Sequence, residues 1–240
     1  MLRTNKRIDE RLTLQRKSNG ELKKRKEASL PPGNADEANK IFDELWEINP
    51  VLSLCCQMQS LTGLRYSDAS WLKFSDFIAS DGHYFEHFDL IQQKVFNMLI
   101  HDKYENVSEA QAIKSSTVRI YINDAIKDVI AECKVINGES EYLFSNKRSA
   151  YQDEQNVRRE RPMSVHSASE HHLNVQKKLK LDYPLGTHSW RKYFAKLVLD
   201  HNGTVVDVRD LLGHSSLNST NTYLQTFEEK LKPLIQKIRL

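Results

Sequence analysis

The chain has 240 residues, 39% of them hydrophobic and 28% charged, with a formal net charge of +3. That is the composition of a water-soluble globular protein with room for one large domain or two small ones. No run approaches the roughly 18 apolar residues of a membrane span, the start "MLRTNKRIDE" carries no hydrophobic signal region, and three cysteines exclude a disulfide framework or a four-ligand zinc site.

In chain order, the first element is a basic arm. Residues 1–30 hold ten Lys/Arg and four Asp/Glu, which puts +6 on the arm and −3 on the remaining 210 residues. Such an arm on a near-neutral body suggests contact with a polyanion, most commonly nucleic acid. Pro31-Pro32-Gly33 ends it. "NADEANKIFDELWEI" then offers Asn34 or Asp36 as a cap and Ile41, Leu45 and Ile48 at helical spacing. Pro50 opens a second, strongly apolar helix closed by Gly63. Its adjacent Cys55 and Cys56 read as buried small hydrophobes. A third, short helix is expected from Ser67 or Asp68.

Phe88, Ile91, Val95 and Met98 mark an amphipathic helix. In "QAIKSSTVRIYI" the pattern changes: Val118, Ile120 and Ile122 alternate with Arg119 and Tyr121, and a β-hairpin with Lys114 near its turn is predicted. Helical spacing returns at Ile126, Val129, Ile130 and Cys133. Residues 146–164 are charged and nearly free of aliphatics, hence a loop, and three further helical stretches carry the chain to "LLGH". His83 and His87, and the pair His171–His172, lack partners at metal-ligand spacing and read as surface or core histidines. The expected fold is mainly α with a small antiparallel β-sheet (α+β), organised as an arm over 1–33 and one domain over 34–240.

Four short segments carry chemistry. "TGLRYSDASWL" presents Arg65 after a glycine-terminated helix, and "IKSSTVRIYI" presents Lys114. "GTHSWRKYFA" presents His188 and Arg191 on one helix face, and "LLGHSSLNSTNTYL" presents His214 with Tyr223 nine residues later. In this order and spacing the chain resembles the tyrosine recombinase (phage integrase) family over about residues 34–227. The resemblance implies DNA strand transfer through a 3′-phosphotyrosyl intermediate with a free 5′-hydroxyl, and no metal or nucleotide cofactor.

Each residue type suits that chemistry. Conserving the energy of a phosphodiester bond calls for a covalent intermediate, and Tyr223 is the candidate nucleophile. Its phenol, with a pKa of about 10, needs a proton acceptor, for which His188 is suited. Arg65 and Arg191 can clamp the non-bridging oxygens with charges that are never lost, and His214 can add a further hydrogen bond. Lys114 is the candidate acid for the departing 5′ oxygen, with Lys103 as the alternative, because the stretch from Arg65 to Lys114 is unusually long. Trp190 is expected to pack.

Only 33 residues precede the expected domain, too few for the separate core-binding domain of most family members, so a minimal recombinase or an arm that replaces part of the clamp is expected. The stripe Leu231, Leu234, Ile235 and Ile238 predicts a C-terminal helix at about 229–239. By the resemblance it would dock in a neighbouring protomer and link a homotetramer on paired sites. The implied partner is double-stranded DNA with inverted-repeat core sites, met in the cytoplasm by a nucleoid-associated protein that is bacterial or phage- or plasmid-encoded, with no membrane involved. Two other readings are a DNA-binding regulator that keeps the fold without strand exchange, and a relaxing enzyme of the type IB topoisomerase kind.

Overall fold

A computed structural model describes residues 28–102, 107–214, 216 and 220 of the chain. Helix α1 (Ala35–Ile48) starts where the Asn34 side chain accepts from Glu37 N at 2.9 Å, and it buries Ala38, Ile41 and Leu45. Asn49 then caps α2 (Pro50–Thr62) through Leu52 N at 2.9 Å, with Pro50 in the first turn where its missing N–H goes unneeded. Leu52, Leu54, Cys55, Cys56 and Met58 are buried on α2, which packs against α1, α6 and α8 and forms the centre of the core. The short helix α3 (Tyr66–Ala69) follows at once.

The next segment departs from expectation. Residues His87–Ile91 form strand β1 rather than the start of an amphipathic helix. The helix that follows, α4, is a short one (Gln93–Asn97), continued by a π-helical turn at Met98–Asp102. Phe88 and Leu90 alternate inward along β1, and the Phe88 ring packs edge-on against Phe77 with centroids 4.8 Å apart. The tertiary contact overrides a spacing that also fits a helix.

Lys114 is displaced from its expected setting as well. It stands in the last turn of helix α5 (Glu109–Ser116), exposed, and not in a hairpin turn. The "SST" hydroxyls that read as a turn fold back on that helix instead: Ser116 Oγ donates to Ala112 O at 2.7 Å and Thr117 Oγ1 to Ile113 O at 2.7 Å. Strand β2 (Thr117–Tyr121) pairs antiparallel with β1, Phe88 opposite Ile120 and Ile91 opposite Thr117. Among the described residues, the connection between the two strands therefore carries helix at Gln93–Asn97, Met98–Asp102 and Glu109–Ser116.

Helix α6 (Asp124–Asn137) buries Ile126, Val129, Ile130 and Cys133 as its spacing indicated. The 146–164 stretch is mostly loop, with a small hairpin of β3 (Tyr151–Gln152) and β4 (Arg158–Arg159). Helices α7 (Val165–Leu179), α8 (Thr187–Asp200) and α9 (Val205–Leu212) complete the described chain. Cys55 and Cys56 are buried, and His172 is a core histidine: its Nδ1 donates to Ala168 O at 2.6 Å, and Trp190 Nε1 donates to its Nε2 at 2.8 Å. Trp190, fully buried, stacks on Phe42 at 4.5 Å, so it packs as expected. Among the described residues no helix is long and apolar enough to cross a membrane. The arm through residue 27, Lys103, Tyr223 and the 229–239 helix lie outside the described residues.

Candidate active site

The site is assembled from helix ends. Gly63 closes α2 in the left-handed conformation (φ +69°), and a Cβ there would lie 2.5 Å from Phe194 Cδ1 and 2.8 Å from Leu212 Cδ2. Two residues later Arg65, in extended backbone, stands at the N-cap of α3 and is half-buried. Gly213 closes α9 in the same left-handed way (φ +64°), and His214 follows it. Glycine adopts this conformation without a Cβ penalty, which accounts for its presence in both "TGLR" and "LLGH".

Arg191 joins these two ends. It has 0% exposure, and its guanidinium donates to Gly63 O and, at 2.9 Å, to Leu212 O. Its Nη2 also lies 3.2 Å from His214 Nε2. A guanidinium can only donate, so Nε2 accepts and His214 Nδ1 donates to Thr220 Oγ1 at 3.0 Å. Burial and then the charges of Arg191 and Arg65 push the His214 pKa down to about 4, which keeps the imidazole neutral at pH 7.

His188, three residues before Arg191 on α8, is exposed at the surface. Partial desolvation leads the depression of its pKa, followed by the charges of Arg191, Arg65, Lys94 and Lys192. A neutral imidazole beside fixed positive charges can accept a proton, and those charges favour a substrate that is an anion.

The structure thus brings Arg65, His188, Arg191 and His214 together. The lysine charges felt at His188 are those of Lys94 and Lys192, and Lys114 is not among them. Lys94 is exposed in the first turn of α4, immediately beyond the end of β1.

Three residues here escaped the sequence reading: Lys94, Gln92 and Asp68. Gln92 is 1% exposed, accepts from Arg65 Nη1 and donates to Leu212 O at 2.9 Å. Asp68 is also buried and accepts from Gln93 N at 3.3 Å; burial raises its pKa, against the opposing pull of the Arg65 charge. The available signal was the Phe88/Leu90 alternation, which reads as the partner that the 117–121 strand needs and carries Gln92 and Lys94 at its end. Among the described residues no group of His, Cys, Asp and Glu is placed to hold a metal ion.

Comparison with known proteins accords with this arrangement. The model of the phage integrase family matches residues 34–230. Tyrosine recombinase XerC of Leptospira interrogans is 37% identical over 62 residues, a match that takes in 26% of this chain and 20% of that protein. The XerA recombinase structure superposes with a TM-score of 0.58 at 15% identity, covering 93% of this chain and 69% of that one. A lambda integrase dimer bound to a COC′ core site gives a TM-score of 0.56 at 20% identity, covering 83% of this chain and 49% of that one. The mainly α fold with a small antiparallel sheet is the one these structures share. The chain belongs to the phage integrase family of tyrosine recombinases.

Proposed function

We propose that this protein is a site-specific DNA recombinase that acts in the integration, excision or resolution of a mobile element or plasmid. The observation that carries the reading is the convergence of two guanidiniums and two neutral imidazoles, brought together from the end of α2, from α8 and from the turn after α9, a set of charges and donors suited to a phosphate. Tyr223 attacks the scissile phosphorus and the bond to the 5′ oxygen breaks, leaving a 3′-phosphotyrosyl link. The phenol proton passes to His188, whose neutral state suits it to accept. Arg65 and Arg191 hold the non-bridging oxygens, where negative charge builds up in the transition state. His214 stays neutral and can turn its single N–H from Thr220 to an oxygen of the same phosphate. Rejoining is the reverse reaction with another strand's 5′-hydroxyl.

The acid that protonates the departing 5′ oxygen is assigned to Lys94 in place of Lys114. Its charge reaches His188, and it stands three residues past the end of β1, two after the Gln92 that bonds Arg65. The partner is double-stranded DNA bearing inverted-repeat core sites, engaged by a homotetramer joined through the 229–239 helix, in the bacterial cytoplasm. Residues 1–33 form a basic arm to the catalytic domain of 34–240 and supply part of the grip on DNA. No cofactor is required, because the nucleophile, acid and base are side chains.

The test is covalent capture on nicked half-sites. Tyr223→Phe should bind DNA and give no SDS-resistant adduct; an adduct with this variant would move the nucleophile elsewhere. Lys94→Ala should cleave slowly and recover on DNA with sulfur at the 5′ bridging position, since a thiolate leaves without protonation. Recovery by Lys114→Ala instead would return the role to Lys114. Adduct formation without exchange between two sites would indicate a relaxing enzyme.

A further inference from the structure

Gln92 occupies an unusual place for an uncharged amide. It lies one residue past β1, and its backbone N–H donates to Ser116 O at 2.8 Å, closing the strand pair at the end nearest the site. Its side chain then spans the site. The oxygen accepts from Arg65, and the nitrogen donates to Leu212 O, which is also an acceptor for Arg191. The neighbouring Gln93 N–H is bound by Asp68 on the same short helix that Arg65 caps. One carboxamide thus connects the first arginine to the carbonyl on which the second is seated.

The chemistry of an amide fits this position. Arg65 is half-buried on a long stem, and ordering such a side chain costs rotamer freedom that a standing partner removes in advance. A neutral acceptor fixes the guanidinium without cancelling its charge, whereas a carboxylate would pair with it and repel a phosphate. Gln92 engages a single nitrogen of a group with five N–H donors, so a fork remains to grip non-bridging oxygens.

We propose that Gln92 is a positioning residue for DNA cleavage: it ties Arg65 to the "LLGH" turn so that Arg65, Arg191 and His214 meet the scissile phosphate as one prearranged unit. The role rests on the recombinase reading above and acts through Arg65, without contact between Gln92 and the DNA.

The experiment compares single-turnover capture by wild type, Gln92→Met, Arg65→Ala and the double variant on two nicked half-sites. One substrate carries an ordinary scissile phosphate, the other a methylphosphonate whose methyl group replaces a charged non-bridging oxygen. On the phosphate, Gln92→Met should slow capture at saturating DNA by about 10- to 100-fold, the scale of a modest misplacement of a catalytic group. Affinity for DNA and the thermal midpoint should change little. On the methylphosphonate the demand for Arg65 is relaxed, so the deficits of Gln92→Met and Arg65→Ala should shrink together. The double variant should be no slower than Arg65→Ala alone, because the two residues work as a unit.

A Gln92→Met deficit that persists in full on the neutral substrate, or adds in full to that of Arg65→Ala, overturns the proposal. If Gln92→Met unfolds, Gln92→Glu keeps the length and the acceptor. It should be slow on the phosphate and recover on the methylphosphonate, and wild-type rates on both would equally overturn the role. A wild-type protein that captures neither substrate overturns the recombinase reading itself, a failure separate from loss of the Gln92 effect alone.

Discussion

Replacing Gly213 by alanine probes the joint on which the site turns. The new Cβ would sit at φ +64°, a left-handed conformation that costs an L-residue about 1–2 kcal/mol. It would also overlap Val118 Cγ1 and lie 3.1 Å from Gln92 Nε2, and overpacking of this kind costs about 1–3 kcal/mol more. The expected loss of stability is about 2–5 kcal/mol, a large share of the roughly 5–15 kcal/mol that holds a typical domain. Urea melts at neutral pH measure it. In a Val118→Ala background the overlapping methyl is absent, so the same substitution should cost only the conformational part, about 1–2 kcal/mol. Because Leu212 O and His214 flank Gly213, capture on a nicked half-site should slow by about 100-fold even where the variant stays folded. A Gly213→Ala protein within about 0.5 kcal/mol of wild type, the range of an inert surface change, would refute the reasoning. So would a cost undiminished by Val118→Ala.

Three other outcomes are expected. His172 is fully buried and its pKa is pushed down to about 4, mainly by burial, so between pH 6.5 and 4 the unfolded chain binds a proton that the folded chain refuses. This stability is complete above about pH 6.5 and drains as pH falls to 4, by about 3 kcal/mol in all. His172→Gln, which keeps an acceptor for Trp190, should flatten that slope in urea melts run at several pH values. Deleting residues 1–30 removes ten cations and four anions, so DNA affinity should fall and its salt dependence become shallower; an unchanged salt slope in filter binding would separate the arm from phosphate. Truncation after Thr226 should spare folding and weak DNA binding yet abolish the synapsis of two sites, with native gels as the readout.

Much of this architecture could be read from residue pattern alone, for identifiable reasons. Helices α1, α2 and α6 combine an asparagine cap with apolar residues at helical spacing, and Gly63 marks a stop that only a left-handed residue can make. Arg65 and His214 were legible because each follows a glycine stop, and His188 and Arg191 because their spacing puts them on one helix face. The middle of the chain was not. Phe88, Ile91, Val95 and Met98 satisfy a helical period while Phe88 and Leu90 also satisfy a strand, and the contact with Phe77 decides between them. In "KSST" the hydroxyls that favour turns also fold back on carbonyls at the end of a helix, which moved Lys114 away from the strand pair's turn. Gln92 was invisible because its role depends on two partners 27 and 120 residues away.

Arg191 reads no side chain for its seat on Gly63 and Leu212: both acceptors are main-chain carbonyls at the last turns of helices. Those two bonds therefore do not depend on which side chains line α2 and α9, provided their packing volume is kept, but they are bound to the residue at which each helix stops. Removing one residue from either helix would rotate the terminal carbonyl by about 100° and carry the seat away from the guanidinium. Substitutions along these helices should therefore be widely tolerated, and single-residue deletions within them should abolish activity even where the core still closes.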